Sequence, residues 1–329
     1  MSINLNAIIL AAGMGSRMKS KHVKVVHEVA GKPLICYVTD LVKTMGVSTT
    51  YLVVGHQSDQ VRTAIGNRDV TFVTQESQLG TAHAVMQVAP YFTDASLPDR
   101  HVIVLAGDCP LIQSETISKM YETHCREGAS ATVLTMTLES PAMYGRILRD
   151  TTGRMHSIKE AKECTPKELE IKEVNSGAYI FKASLLFETL TQIESANTQG
   201  EFYLTDSIHL LKKKGHRIET CSVGSEREAL GVNTRQDLAA INREIFDRNN
   251  AFHMQNGVTI IDPASTFIGS DVLIGADTIV APFTIINGMT QIGNNCHLGA
   301  HCYLENAVID DNQTLMPYTI LKGEPNLTI

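Results

Sequence analysis

No run of apolar residues in the chain is long enough to cross a bilayer, which excludes a helical membrane span. Basic residues are also scarce: 28 Lys and Arg stand against 35 Asp and Glu, a formal net charge of -7. Gripping nucleic acid takes clustered cations to neutralise its phosphates, so nucleic acid is not expected as a bulk partner. The one basic cluster, Lys212-Lys213-Lys214, ends an expected helix, where it suits the helix dipole and reads as a solvated end. The 7 cysteines are odd in number and include no CxxC pair. With no secretory segment either, reduced thiols in a cytoplasmic protein are expected. What is left is a globular composition, 43% hydrophobic and 19% charged, in a chain long enough for a full α/β domain and a smaller second one.

The most informative stretch is Leu10-Ala11-Ala12-Gly13-Met14-Gly15-Ser16-Arg17-Met18, directly behind the apolar run 5–10. A buried strand here runs into a glycine-rich loop carrying one arginine. Glycines let backbone N–H groups approach an anion, and a guanidinium adds charge at the same place. Two known phosphate loops do not fit. The dinucleotide fingerprint needs a third glycine where Met18 stands, and an acidic residue after the second strand, where Gly55 and His56 follow. The Gly-Lys-Ser/Thr of a P-loop is missing too. For this loop alone, a glycine turn without a ligand remains the plainer alternative.

Over the first 230 residues or so, apolar and mostly β-branched segments at 7–10, 51–54, 70–73, 102–105 and 131–135 read as strands buried on both faces. Helices lie between them, one opening at Lys32-Pro33-Leu34 and running toward Gly46, another from Gly80-Thr81 to about Val88. The alternation implies an α/β fold with a mostly parallel sheet and helices on both sides. After an expected helix at 234–250 the pattern changes. Aliphatic residues recur every six positions at Ile268, Ile274, Val280, Ile286, Ile292, Leu298 and Leu304, then, after a one-residue slip, at Ile309, Leu315 and Leu321. That is the hexapeptide period of a β-helix, each aliphatic residue pointing into a coil. The domains are therefore placed at 1–251 and 252–329.

Chemistry concentrates at strand ends. Val102-Ile103-Val104-Leu105-Ala106-Gly107-Asp108 is a buried strand ending in a carboxylate, suited to a Mg²⁺ that takes one or two protein oxygens and the rest from water and phosphate. Asp108 as a cap on a helix opening near Pro110 is the alternative. Gln75, in Gln75-Glu76-Ser77-Gln78-Leu79-Gly80-Thr81-Ala82, offers donor and acceptor to the edge of a base such as uracil. Gly80 and Thr81 open a helix whose amides suit an anion, although an ordinary helix entry with Thr81 capping explains them equally. Lys24 lies seven residues past Arg17 in a basic segment that could reach across a triphosphate or equally be a solvated loop, and Lys19 and Lys21 read as solvated. Farther on comes Tyr144-Gly145-Arg146-Ile147; Glu160 and Asn175 then flank a charged insertion at 162–172, and a carboxylate and an amide suit sugar hydroxyl and amide groups. Asn233, in Gly231-Val232-Asn233-Thr234, stands ahead of a helix and reads equally as a plain N-cap.

In order, LAAGMGSRM, Lys24, QESQLGTAHA, LAGDCPLI, YGRI, IKEAKE, VNSGAY, GVNTR and the hexapeptides resemble the sugar-1-phosphate nucleotidyltransferases, most closely those that make UDP-N-acetylglucosamine. The resemblance implies a Rossmann-like nucleotidyltransferase domain followed by a short left-handed parallel β-helix. It implies that Leu10, Ala11, Ala12, Gly13, Gln75, Gly80 and Thr81 meet the nucleotide, and that Arg17 and Lys24 neutralise the triphosphate. It assigns Gly145, Glu160 and Asn175 to the N-acetylated sugar, and Asp108 and Asn233 to Mg²⁺. The activity implied is uridylyl transfer from UTP to N-acetylglucosamine 1-phosphate, for cell-wall precursor synthesis, in a homotrimer joined through the β-helix. Another hexose 1-phosphate as acceptor, and a non-catalytic assembly or regulatory subunit, are the competing readings. Two departures stand out. The family's proline before the catalytic lysine is Val23, which leaves the path of that loop open. Only about three coils precede Ile329, and the family's acetyltransferase residues lie on later coils, so that second activity is not expected.

Overall fold

The computed structural model describes residues 4–93, 100–195, 200–225 and 227–324. They form two units, one of Met1–Val26 and Leu34–Asn233, the other of His27–Pro33 and Thr234–Ile329.

In the first unit, β1 (Leu5–Ala11), β2 (Thr50–Val54), β3 (Thr71–Thr74), β4 (His101–Ala106), β5 (Ala131–Thr137), β6 (Arg146–Arg149), β7 (Met155–Lys159), β8 (Glu173–Lys182) and β9 (Ile218–Ser222) make one sheet. Its order is β9-β5-β8-β4-β1-β2-β3, with β6 pairing to β8 and β7. Neighbours β4, β1, β2 and β3 run parallel, as do β5 and β9; β8 alone runs antiparallel between β4 and β5. The helices are α1 (Leu34–Thr44), α2 (Ser58–Ile65), α3 (Thr81–Met86), α4 (Ser114–Arg126), α5 (Pro166–Leu169), α6 (Ala183–Leu190) and α7 (Thr205–Lys213). Along β1, Leu5, Ala7, Ile9 and Ala11 enter one core and Ile8 the other, so the sheet is buried on both faces and its central strands carry no polar alternation.

Three expected elements move. Lys32-Pro33 is not the first turn of α1 but one arm of a short hairpin with Glu28–Val29, and the helix opens at Leu34. No helix starts near Pro110; α4 opens at Ser114. The helix expected at 234–250 is α8 (Arg235–Gln255), and its cap is Thr234, not Asn233: the Thr234 hydroxyl accepts from Asp237 N while the Asp237 carboxylate accepts from Thr234 N. The expected domain boundary at 251/252 thus falls inside α8, and the structure groups the whole helix with the second unit. Asn249 donates to Ile268 O at 2.8 Å, Asn250 to Thr266 O at 2.9 Å and Arg243 to Ala264 O at 2.9 Å, which fastens α8 to the coils.

Those coils form a left-handed parallel β-helix with three short-stranded faces. Ile268 stacks on Ile286 and Ile286 on Leu304; Val280 stacks on Leu298, and Ile274 on Ile292. The slip is confined to the corner at Asn306, which has φ 52° and shortens one turn by a residue, after which Ile292 meets Ile309 and Leu298 meets Leu315. The interior column from Ile268 to Ile309 is buried except for Ile274, which like Leu315 is partly buried, whereas Leu321, expected inside, is exposed because no described coil covers it. Among the described residues no helix is long and apolar enough to cross a membrane.

Candidate active site

Because β4, β1, β2 and β3 run parallel and in near register, the loops that leave their carboxyl ends share one edge of the sheet, the usual ligand crevice of an open α/β sheet. The glycine-rich loop follows β1, Gln75 follows β3 and Asp108 follows β4. Strand β8 enters the sheet in the opposite sense, with Tyr179 beside Val104, so Asn175 at its start comes out on that same edge. Strands of both directions therefore contribute to one site.

Four residues singled out in the sequence meet there. Gly15 takes φ 60° and opens a short turn, Ser16–Met18, that presents Arg17. Arg17 Nη2 donates to Asn233 Oδ1 at 3.0 Å. Lys24 pairs with the Asp108 carboxylate and also donates to Asn233 Oδ1 at 3.3 Å. Asp108 is held by its own backbone, whose carbonyl accepts from Val232 N at 3.0 Å, and is nearly buried. Gly231 lies against the carboxylate, and a Cβ there would stand in ordinary contact, 3.5 Å, with both of its oxygens. Neither Asp108 nor Asn233 is consumed as a helix cap, so that alternative lapses for both. Val23 settles the path of the lysine loop: its N–H donates to Gln60 Oε1 at 3.1 Å, a bond proline cannot make, and Lys24 still reaches Asp108. Next door, burial and then the Asp108 charge push the Cys109 thiol well above its ordinary pKa, so it stays protonated and inert.

Can these residues hold a divalent cation? Asp108 and Asn233 supply two hard oxygens, and a single ammonium nitrogen bonds both side chains, so they converge on one cation-sized position. Two protein oxygens with water and phosphate completing the shell is the ordinary pattern for Mg²⁺, and the donor set fits. No cluster of three or more His, Cys, Asp or Glu suited to a metal occurs among the described residues.

The residues expected to meet a nucleotide are partly laid out. Leu10 O accepts from Gly107 N at 2.9 Å, which ties the ends of β1 and β4 together below the loop, with Ala11 and Ala12 buried beside it. Gly13 is exposed with open space before it. Gln75 is buried, and its amide nitrogen is engaged by Gly80 O at 3.2 Å and His83 Nδ1 at 2.9 Å, leaving the amide oxygen as the group on offer. Gly80, at φ 115°, lies flat against Phe202, whose carbonyl oxygen a Cβ would meet at 2.5 Å. Thr81 does not cap α3; its hydroxyl accepts from Leu204 N at 3.0 Å, and the cap position is Gly80.

Gly145, Glu160 and Asn175 are brought together by the β6–β7 hairpin. Arg146 pairs with Lys159, which sets Gly145 opposite Glu160, and Gly145 O accepts from Asn175 N at 2.8 Å. Arg146, only 3% exposed, fixes the preceding loop by donating to the carbonyls of Ala142, Tyr144 and Leu169. Glu160 accepts from Thr205 Oγ1 at 3.1 Å. Burial raises its pKa above the ordinary glutamate value; the Thr205 bond opposes this, and the charges of Glu163, Asp206 and Glu201 add to it. Asn175 Nδ2 donates to Tyr179 OH at 2.6 Å across a bulge where Gly177 takes φ 85°.

Sequence reasoning passed over Tyr144 and Thr205. Tyr144 OH accepts from Gly231 N at 3.2 Å and so joins the Gly145 loop to the segment bearing Asn233. It stood inside a quoted motif, beside Gly145. Thr205 opens α7 far along the chain, and nothing local marked it as a partner of Glu160.

A domain family matches this arrangement over residues 7–169: the MobA-like NTP transferase domain. Residues 7–169 are an NTP transferase domain. The match contains Arg17, Lys24, Gln75, Asp108, Gly145 and Glu160, while Asn175 and Asn233 lie beyond it. The chain is also 46% identical over 268 residues to a bifunctional protein GlmU of Acetivibrio thermocellus, covering 82% of this chain and 57% of that one. It is 45% identical over 265 residues to the GlmU protein of Geobacillus thermodenitrificans, with 80% and 57% covered. The similarity read from the motifs is thus borne out. The chain spans somewhat more than half the length of these relatives. The match ends short of β8, so Asn175 joins the candidate site from outside it.

Proposed function

We propose that this chain transfers a uridylyl group from UTP to N-acetylglucosamine 1-phosphate. An acceptor phosphate oxygen attacks the α-phosphorus in line. A P–O bond forms to the acceptor, the bond from the α-phosphorus to the bridging oxygen breaks, and pyrophosphate leaves with the electron pair. The attacking oxygen is already ionised, so neither a general base nor a protein nucleophile is needed, and the inert Cys109 is in keeping with that. The observation that carries the reading is the convergence of Lys24 and Arg17 on Asp108 and Asn233. Lys24 and Arg17 are the cations that receive the triphosphate, orient it and balance the charge of the pentacoordinate transition state. Asp108 and Asn233 are the ligands for Mg²⁺, which when bound supplies further charge neutralisation at the phosphates. Gln75 offers its amide oxygen to the uracil N–H. Gly145, Glu160 and Asn175 receive the acetamido sugar, a pairing supported by one carboxylate and one amide facing a common loop.

The test is pyrophosphate release in the presence of Mg²⁺. UTP, dTTP, CTP and ATP are crossed with N-acetylglucosamine, glucosamine and glucose 1-phosphates. The expected outcome is one dominant signal, for UTP with N-acetylglucosamine 1-phosphate, because a site built to bond the acetamido group rejects sugars lacking it. Comparable rates with glucose 1-phosphate would remove the sugar assignment. Silence across the matrix from folded protein would remove catalysis.

A further inference from the structure

On the first unit, away from the residues just described, a cavity of about 560 Å³ opens between the tip of the β6–β7 hairpin and the turn from α7 into β9. Its size lies within the range of small-molecule sites, roughly 300–1,000 Å³. Arg149, Arg154, Lys212 and Arg217 line it with a single carboxylate, Glu219, and the ring of His216. Such a concentration of positive charge runs against a chain whose net charge is -7.

The cations are not equivalent. Arg149 is spent on Glu173, with bonds of 2.7 and 2.5 Å, and Arg217 is spent on Glu219 and Glu127. Arg154 and Lys212 form no ion pair among the described residues. The nearby carboxylate of Asp150 feels the Lys212 charge but is itself occupied by Thr152 N, Thr152 Oγ1 and Arg154 N at 2.9, 2.6 and 3.1 Å. Lys212 therefore parts company with its neighbour Lys214, which pairs with Glu188 at 2.8 Å and behaves as the solvated helix end the sequence leads one to expect. Buried Met155 and Ile218 belong to the same wall. The result is a concave site with an apolar side, two uncommitted cations and two more held in place by their own partners.

We infer that this cavity is a second anion site, separate from the triphosphate site, that binds a small phosphorylated molecule carrying two or more negative charges. Arg154 and Lys212 make the direct contacts. Arg149 and Arg217, oriented by Glu173 and Glu219, supply the surrounding field and leave guanidinium N–H groups for further phosphate oxygens.

The experiment is calorimetric titration with inorganic tripolyphosphate as probe. The Arg17→Ala/Lys24→Ala variant lacks the cations of the triphosphate site, so any remaining uptake belongs elsewhere. The expected result is one tripolyphosphate per chain in that variant. Adding Arg154→Ser/Lys212→Ser should weaken it by about tenfold or more, the scale of one lost charge-assisted contact. Arg154→Lys/Lys212→Arg should retain it. Arg154 is exposed at the hairpin tip, so Arg154→Ser alone, which cannot disturb a core, should move affinity in the same direction. Arg154→Ser/Lys212→Ser in the otherwise unchanged chain should keep its rate of nucleotidyl transfer. Absence of binding in the Arg17→Ala/Lys24→Ala chain, or binding indifferent to Arg154 and Lys212, overturns the inference.

Discussion

Asn233 Oδ1 receives a hydrogen bond from Arg17 and another from Lys24, and Lys24 also holds Asp108, so one amide and one carboxylate organise both cations proposed to receive the triphosphate. Removing charge at Asp108 while keeping its shape is the sharpest single change. Asp108→Asn should lower kcat by about a hundred- to a thousandfold, the usual cost of one electrostatic contact made in the transition state. Circular dichroism should be unchanged, because the amide is isosteric. Near wild-type turnover in that variant would sink the metal assignment. Glu160 permits a second prediction, from its raised pKa. Below that pKa the carboxyl is protonated and becomes a weaker acceptor for the sugar hydroxyl proposed to bind it. The KM for the sugar phosphate should therefore rise as pH falls, with a midpoint above that of an ordinary glutamate, and kcat should change less. In Glu160→Gln, which cannot titrate, this limb should vanish. A midpoint that survives the substitution would assign the effect to another group.

Helix α4 meets the sheet through a histidine that cannot afford a charge. His124 is fully buried, its Nδ1 2.8 Å from Thr132 Oγ1 on β5 and its Nε2 3.0 Å from His101 Nδ1 on β4. Burial first, then the charges of His101 and Lys182, lower its pKa from 6.5 to about 3. The unfolded chain takes up this proton at a higher pH than the folded one. Its contribution to stability is thus complete above pH 6.5 and is lost as pH falls toward 3. One such group gives a slope of up to about 1.4 kcal/mol per pH unit. Urea melts of His124→Gln between those limits should show a shallower acid slope than the parent; equal slopes would exclude His124 as the source. Strands β1 to β5 were legible because their segments are apolar and mostly β-branched, as strands buried on both faces should be. Strands β6 to β9 were not read as strands. Arg146–Arg149 and Met155–Lys159 mix charged and apolar residues and become strands by pairing with each other in a hairpin, while Glu173–Lys182 is interrupted by Asn175, Ser176 and Gly177. Of the site, the residues in the loops after β1, β3 and β4 were legible from their glycines and charges. The bond from Thr205 to Glu160 was not, because partners so distant in sequence leave no local periodicity.

The second unit was the more legible, since its interior repeats a single position. The six-residue period names most of the buried aliphatic residues, though not Val258, Ile260 or Val272, and even its slip is visible before the corner at Asn306 explains it. What the period does not announce is that the hairpin 27–33, more than two hundred residues earlier, belongs with these coils, where Ala30 N donates to Asn242 Oδ1 at 2.7 Å. The core of this unit contains Val280, Ile286, Ile292, Leu298 and Leu304 and shares no residue with the two cores that flank the nine-stranded sheet. Domains with cores of their own need not unfold in one step. Leu298, fully buried and stacked between Val280 and Leu315, is the place to test this. Leu298→Ala opens a cavity that rigid neighbouring coils cannot close, and should cost about 2–5 kcal/mol. Scanning calorimetry should then show one transition moving to lower temperature and a second staying in place. Nucleotidyl transfer should persist at temperatures between the two, because every residue placed at the reacting phosphates lies in the first unit. A single transition that shifts as a whole, with activity lost along it, would mean that the coils are required for the transferase unit to stay folded.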